Sequence, residues 1–172
     1  MPLSNPTLGT LLRHLIELLD GDVERVYRDA GLDYRPRFTP VVRVVGELGP
    51  CSIREIASQA SLTHSAASQT VAEMAARGLV QTRAGTDARE RIVHLTPRAE
   101  ALLPVLRGFW AATAAAADEL AAELGVDLED VVARAVDALR RRPFHLRVTE
   151  HAERAAAAAA ARVEAADEEM EE

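Results

Sequence analysis

Between Ser52 and Thr96 the chain places two short helical patterns either side of a tight corner and then adds a hairpin pattern, an order that few folds accommodate. Ser52 and Glu55 stand at the spacing of a capping box, in which the serine oxygen accepts from the amide three residues on and the glutamate reaches back. Ile53, Ile56, Ala57 and Ala60 then recur at helical spacing and give one apolar face. Ser61 and Leu62 leave room only for a corner between helices. Thr63 caps a second helix with Ala67, Val71, Met74 and Ala75 on its apolar side, and Gly78 is placed to end it in the left-handed conformation. This is the plan of a helix-turn-helix.

The other side of that second helix carries His64, Ser65, Ser68, Gln69 and Thr70, short polar side chains gathered near its N-terminal end. That end of a recognition helix meets base edges and phosphates in a major groove. Gln69 suits bidentate pairing with adenine, serine hydroxyls suit bases or phosphate oxygens, and Ala66 suits a thymine methyl. A polar face alone marks any amphipathic helix, so the weight comes from the hairpin downstream. Leu79 to Arg83 and Arg91 to Leu95 flank a loop containing Gly85, Thr86 and Asp87, which is a hairpin pattern. Arg89 near its tip is placed for a minor groove, where the negative potential of a narrow A·T-rich stretch attracts a guanidinium. Arg83 and Arg91 lie at the base of the hairpin, which after a helix-turn-helix reads as a wing. The expected fold class is mainly α with a small β-hairpin wing. The expected contacts to double-stranded DNA are Ser52, Arg54, Thr63, His64, Ser65, Ala66, Ser68, Gln69, Arg83, Thr86, Asp87, Arg89 and Arg91.

The segments Arg37-Phe38-Thr39-Pro40, Gly49-Pro50, Ser52-Ile53-Arg54-Glu55-Ile56-Ala57, Gly78-Leu79-Val80, Asp87-Ala88-Arg89-Glu90-Arg91 and Leu95-Thr96-Pro97 together resemble the MarR family of bacterial regulators, over roughly the first two-thirds of the chain. The Asp-x-Arg wing followed by Leu-Thr before a long helix is the most specific part. The resemblance implies a winged helix-turn-helix joined to a helical dimerisation region, an obligate homodimer on a pseudo-palindromic operator, repression as the usual outcome, and release of DNA by a small ligand or an oxidant. Two features depart from the family pattern. His64 stands where a lysine or similar donor often comes after the cap, and the chain continues past the usual dimerisation helices.

Upstream, Leu8, Leu11, Leu12, Leu15, Ile16, Leu19, Val23, Val26 and Tyr27 describe one helix with a broad apolar stripe that needs a partner surface. Thr39-Pro40 starts a helix that Gly49-Pro50 ends, and Thr96-Pro97 starts a long alanine-rich one that stops at Gly125. Asp127 caps another, which carries Val131, Val132, Val136 and Leu139 and closes on Arg140, Arg141 and Arg142, cations that suit a helix C-terminus. Phe144 to Val148 alternates apolar and polar residues and reads as a brief extended stretch, and the alanine-rich tail after it as a protruding helix with a frayed acidic end. The expected divisions are a dimerisation helix at 1–34, the winged helix-turn-helix at 35–97, dimerisation helices at 98–142 and the acidic tail at 143–172. Helices with this much apolar surface are expected to pair across a two-fold axis with a second copy.

A formal net charge of −7 is an objection to a DNA partner only until it is resolved by segment. Residues 149–172 hold eight acidic side chains against Arg154 and Arg162, a net of −6, which leaves −1 for everything before them. Local basic surface, not the whole-chain total, governs phosphate contact. All 20 basic residues are arginine, a uniformity that looks like coding bias and carries little functional weight.

Cys51 is the only cysteine, which excludes an internal disulfide and fits a reducing compartment. A redox role for it is the minor reading beside that of a small buried hydrophobe. His14, His64, His94, His145 and His151 never pair at a ligand spacing on one helix face, so no metal and no cofactor is expected. Arg13, His14, Tyr27, Tyr34 and Trp110 are the candidates for a small-molecule effector site, by analogy with the cleft beside the family's dimer helices. With neither a Gly-rich phosphate loop nor a nucleophile elbow, an enzyme is not expected. An apolar span of about 18 residues is missing, as is a leader pattern, so a cytoplasmic protein, at the nucleoid when bound to DNA and with no membrane partner, is expected. The alternative function is a winged-helix protein-interaction module whose acidic tail mimics or excludes nucleic acid.

Overall fold

The computed structural model describes residues 6–85 and 90–171, the side chains of 160, 161 and 163–171 excepted. The chain divides into two units, Met1–Thr113 and Ala114–Glu172. The first unit takes in the N-terminal helix and the start of the long alanine-rich one as well as the helix-turn-helix.

In that unit, α1 (Leu8–Asp29) is capped by Thr7, whose oxygen accepts from the Thr10 amide at 3.3 Å. It ends where Gly31 takes a φ of +73° and the Leu32 amide returns to the Tyr27 carbonyl at 2.9 Å. A 3-10 turn at Pro36–Phe38 leads into α2 (Thr39–Leu48). The two-residue strand β1 (Cys51–Ser52) runs directly into α3 (Ile53–Gln59), and α4 (His64–Ala76) comes after the corner. Ser61 at that corner has a φ of +54°, which lets the Leu62 amide reach the Ala57 carbonyl at 2.9 Å and aims the chain into the next helix. Gly78 ends α4 in the same manner, and β2 (Val80–Ala84), β3 (Arg91–Leu95) and α5 (Pro97–Leu124) complete the order.

The sheet differs from the expected hairpin by one strand. Its order is β1-β3-β2, all antiparallel, with Cys51 opposite Val93, Ser52 opposite Ile92 and Thr82 opposite Val93. A strand of two residues has no periodicity to read, and the capping box at the same position masks it.

The core lies between this sheet, α2, α3 and α4, with Phe38, Val41, Ile56, Ala67, Met74 and Val93 each fully buried. Tyr27 and Tyr34 extend it toward α1. Their rings meet edge to face at 5.1 Å, Tyr27 meets Phe109 of α5 at 5.4 Å, and Tyr34 meets Phe38 at 5.8 Å. Such pairs add specific geometry to the area they bury. Ala75, expected on the apolar side of α4, is exposed, because the stripe through Ala67, Val71 and Met74 advances at 3.6 residues per turn and passes it by.

In the second unit, α6 (Leu128–Arg141) is capped by Asp127, which accepts from the Asp130 amide at 2.9 Å. The helix α7 (Phe144–Glu171) starts immediately after Pro143, so Phe144 to Val148 is its first turn and not the extended stretch expected. Proline is well suited to a helix start, and the Leu146 amide closes onto the Pro143 carbonyl at 3.2 Å. The side chain of Glu150 joins Arg142 to Arg154, and Arg142 holds its carboxyl below the usual carboxylate range.

Candidate nucleic-acid interface

The capping box at α3 is complete. Ser52 Oγ accepts from the Glu55 amide at 3.2 Å, and the Ser52 amide donates to the Glu55 carboxylate at 2.8 Å. The Ser52 amide, with the Ser52 hydroxyl donating to the same oxygen, holds the Glu55 carboxyl below its ordinary range. The same geometry removes Ser52 from the expected DNA contacts: it is 3% exposed, with its hydroxyl turned to Glu55 and its backbone in the sheet. Arg54, two residues on, is exposed on α3.

Thr63 caps α4 by accepting from the Ala66 amide at 3.1 Å. The spacing then places Ala67, Val71 and Met74 in the core and leaves His64, Ser65 and Gln69 on the other side, where Ala66, Ser68 and Thr70 complete the polar face. The N-terminal turns of α4 are therefore polar and hold no arginine, aspartate or glutamate, and the first arginine on the chain after α3 is Arg77, at the end of α4. Positive charge comes from neighbouring elements: Arg54 on α3, Arg83 on β2 and Arg91 on β3, all exposed. Arg83 pairs across to Ile92, and Ala84 to Arg91, so the two arginines flank the described end of the wing. There the Gly85 amide donates to the Glu90 carbonyl at 2.9 Å, and a Cβ on Gly85 would meet Glu90 side-chain atoms at 3.2 and 3.3 Å, tight enough to favour glycine. Thr86, Asp87 and Arg89 lie outside the described residues.

An ion-pair cluster that no motif announces lies beside the C-terminal half of α4. The Glu73 carboxylate accepts a hydrogen bond from Arg37 and forms ion pairs with Arg35 Nη1 at 3.2 Å and Arg77 Nε at 3.5 Å. Arg77 also donates to Asp33, and Arg35 approaches Glu24 of α1 at 3.9 Å. The hydrogen bond from Arg37, with the charges of Arg37, Arg35 and Arg77, holds the Glu73 carboxyl below the usual range. The sequence signal is partial. Glu73 and Arg77 stand at i and i+4 on one helix, but Arg35 and Arg37 arrive from a different element.

The candidate effector residues are not brought together as a set. Arg13 and His14 are exposed on α1, with His14 Nδ1 3.9 Å from Glu17. Tyr27 and Tyr34 are buried further along the chain, where burial pushes both hydroxyls up. Tyr34 donates to Thr39 Oγ1 at 3.3 Å. Trp110 is half-buried beside them under Arg43, whose guanidinium lies 5.7 Å from the indole centroid. Its Nε1 lies near the Tyr27 hydroxyl without making a well-formed hydrogen bond among the described residues. A cleft of about 380 Å³ opens next to Tyr34 and is lined by Glu24, Arg28, Leu32, Asp33, Arg35 and Arg77. Cys51 is 6% exposed, and burial together with the Glu55 charge pushes its thiol up, the opposite of what a reactive thiolate requires. Among the described residues no group of His, Cys, Asp and Glu could hold a metal ion, and no helix is long and apolar enough to cross a membrane.

Residues 39–90 match the model of the MarR family. No curated protein matches the chain in sequence. Among solved structures it is similar to the M. tuberculosis transcriptional regulator MOSR in complex with DNA, with a TM-score of 0.65 at 20% identity, covering 81% of this chain and 100% of that one. It is similar to the transcriptional repressor CouR bound to a 23-mer DNA duplex, with a TM-score of 0.57 at 20% identity, covering 78% and 92%. It is also similar to a MarR family regulator from Neisseria meningitidis, with a TM-score of 0.53 at 20% identity, covering 84% and 95%. At these identities the likeness is one of fold.

Proposed function

We propose, on the match of residues 39–90 to the MarR family model, that the protein is a DNA-binding transcriptional regulator that acts as a homodimer on a pseudo-palindromic operator, with repression as the outcome. The observation that carries this reading is the division of labour at α4. His64, Ser65 and Gln69 offer short hydrogen-bonding groups for base edges, while Arg54, Arg83 and Arg91 on the flanking elements supply charge for the backbone. Ala66 and Ser68 on the same face, and Thr63 at its head, complete the reading surface. Thr86, Asp87 and Arg89 extend it by position in the sequence.

The homodimer is supported by apolar surface within each unit. On α1, Leu8, Leu11, Leu12, Ile16 and Leu19 are exposed, and on α6 Val131, Val132, Val136 and Leu139 are exposed. Apolar stripes of this extent call for a partner surface, and a closed two-fold pair matches a palindromic site. A small-molecule effector is part of the same proposal, with the cleft beside Tyr34 as the place where it binds.

The test is to incubate the purified protein with sheared genomic DNA at low salt and sequence what is retained. Recovery of a few fragments sharing a two-fold symmetric element is the expected result, with sedimentation at low concentration giving a dimer. Recovery of nothing, or of fragments without a common element, overturns the reading. It would favour instead a protein-interaction module, to which the absence of any arginine on α4 and the net of −6 over residues 149–172 lend support.

A further inference from the structure

Glu73 lies one turn beyond Gln69 on α4, so a carboxylate adjoins a face assigned to DNA, where free negative charge weakens binding to every duplex. That carboxylate is already engaged. Arg35 and Arg37 reach it from the connection between α1 and α2, and Arg77 reaches it from the end of its own helix. Arg77 binds Asp33 of the same connection, and the Arg77 carbonyl accepts from Arg98 at the head of α5 at 3.1 Å. The guanidinium carbons of Arg77 and Arg37 lie 5.7 and 5.9 Å from the centroid of Phe38, whose ring is fully buried. The cluster therefore rests on a fixed aromatic support.

Two physical points give this arrangement a purpose beyond general stability. Ala67, Val71 and Met74 set which side of α4 turns inward, and a directional contact farther along the helix narrows the rotation about its axis that remains. The hydrogen bond from Arg37 to Glu73 is directional, and the charges of Arg35 and Arg77 add to its hold on a carboxylate that is 26% exposed. We propose that Glu73 is a positioning residue of the reading surface: by its hydrogen bond from Arg37 and its ion pairs with Arg35 and Arg77 it fixes the rotation of α4, and so which of His64, Ser65 and Gln69 reach base edges. This role rests on the DNA-binding reading.

The wild-type protein is used to select duplexes from a randomised pool, and the ratio of affinities for the selected duplex and for poly(dI-dC) is then measured for wild type, Glu73→Gln, Arg35→Gln and Arg37→Gln. Removing a carboxylate by itself tightens both DNAs together and leaves the ratio unchanged. Loss of positioning lowers the ratio by about tenfold or more in Glu73→Gln and in each arginine variant, and the Glu73→Gln/Arg37→Gln double variant falls no further than the worse single one. If Glu73→Gln does not melt cooperatively, the two arginine variants carry the comparison. An unchanged ratio in the folded variants overturns the positioning role alone. If wild type enriches no sequence, the DNA-binding reading fails and the positioning role falls with it.

Discussion

Thr96 Oγ1 donates to the carbonyl of Gly78 at 2.7 Å, which ties the end of α4 to the residue that starts α5. The same oxygen accepts from the Ala99 amide at 3.2 Å, and the Thr96 amide donates to the Leu79 carbonyl at 3.0 Å. One side chain thus caps one helix and closes the exit of another. Thr96→Ala should cost roughly 0.5–2 kcal/mol, as for loss of a helix cap, and Thr96→Ser should restore most of it. Urea unfolding of the three proteins checks both.

Gln69→Ala and Arg91→Ala should fail in different ways. The first should lose about 1–3 kcal/mol of discrimination between selected and unselected duplexes and leave the salt dependence alone. The second should weaken all duplexes alike and reduce the slope of log affinity against log salt by about one. Fluorescence anisotropy across a series of salt concentrations separates them, and interchanged outcomes would reverse the roles assigned to the helix and the wing.

Phe38 should be a sensitive core position. Its ring is fully buried against Tyr34 and beneath Arg37 and Arg77, so Phe38→Ala leaves a cavity and strips the ion cluster of its support. A loss of about 3–5 kcal/mol is expected, against under about 1.5 kcal/mol for a milder hydrophobic change such as Met74→Leu. Thermal melts decide this.

The protein should lose stability in acid through Glu55 and Glu73. Both carboxyls are held below the usual range in the folded chain, by the Ser52 amide and by Arg37 respectively. A folded pKa below the unfolded value means that the unfolded chain binds more protons in between. Their contribution is therefore complete at neutral pH and is lost as pH falls from about 5 through the unfolded value near about 4.3 toward the folded ones. In urea midpoints measured from neutral pH down into acid, Glu55→Gln and Glu73→Gln should each flatten the acid limb.

Cys51 should behave as a packed hydrophobe. Its raised thiol and its place opposite Val93 predict slow alkylation of the folded protein by iodoacetamide relative to the protein in urea, and unchanged DNA retention after mild peroxide. Rapid alkylation of the folded form would make it a sensor after all.

Most of the helices are legible because they carry their own start and stop. Ser52 with Glu55, Thr63, Asp127, Gly78 and Gly125 act on backbone groups a few residues away, and local signals of that kind need no tertiary information. What escaped was set by contacts between distant segments. β1 exists only because β3 lies beside Cys51 and Ser52, and Arg35 and Arg37 gain a role only where the fold brings Glu73 to them. The start of α7 escapes for a different reason. Phe144, Leu146 and Val148 alternate as a strand would, yet the alanine-rich sequence after them extends a helix back to Pro143. Arg13 and His14 share α1 with Tyr27, but the length of the helix between them keeps them apart.

Because Ser52 is at once the last residue of β1, paired with Ile92 of the wing, and the cap of α3, the wing and the helix-turn-helix share a backbone junction. In evolution or in the hands of an engineer, the two should therefore be inherited as one cassette. Transplanting residues 51–95 whole into a related scaffold carries its own internal register, whereas exchanging the hairpin alone asks a foreign strand to satisfy a cap that it was never matched to.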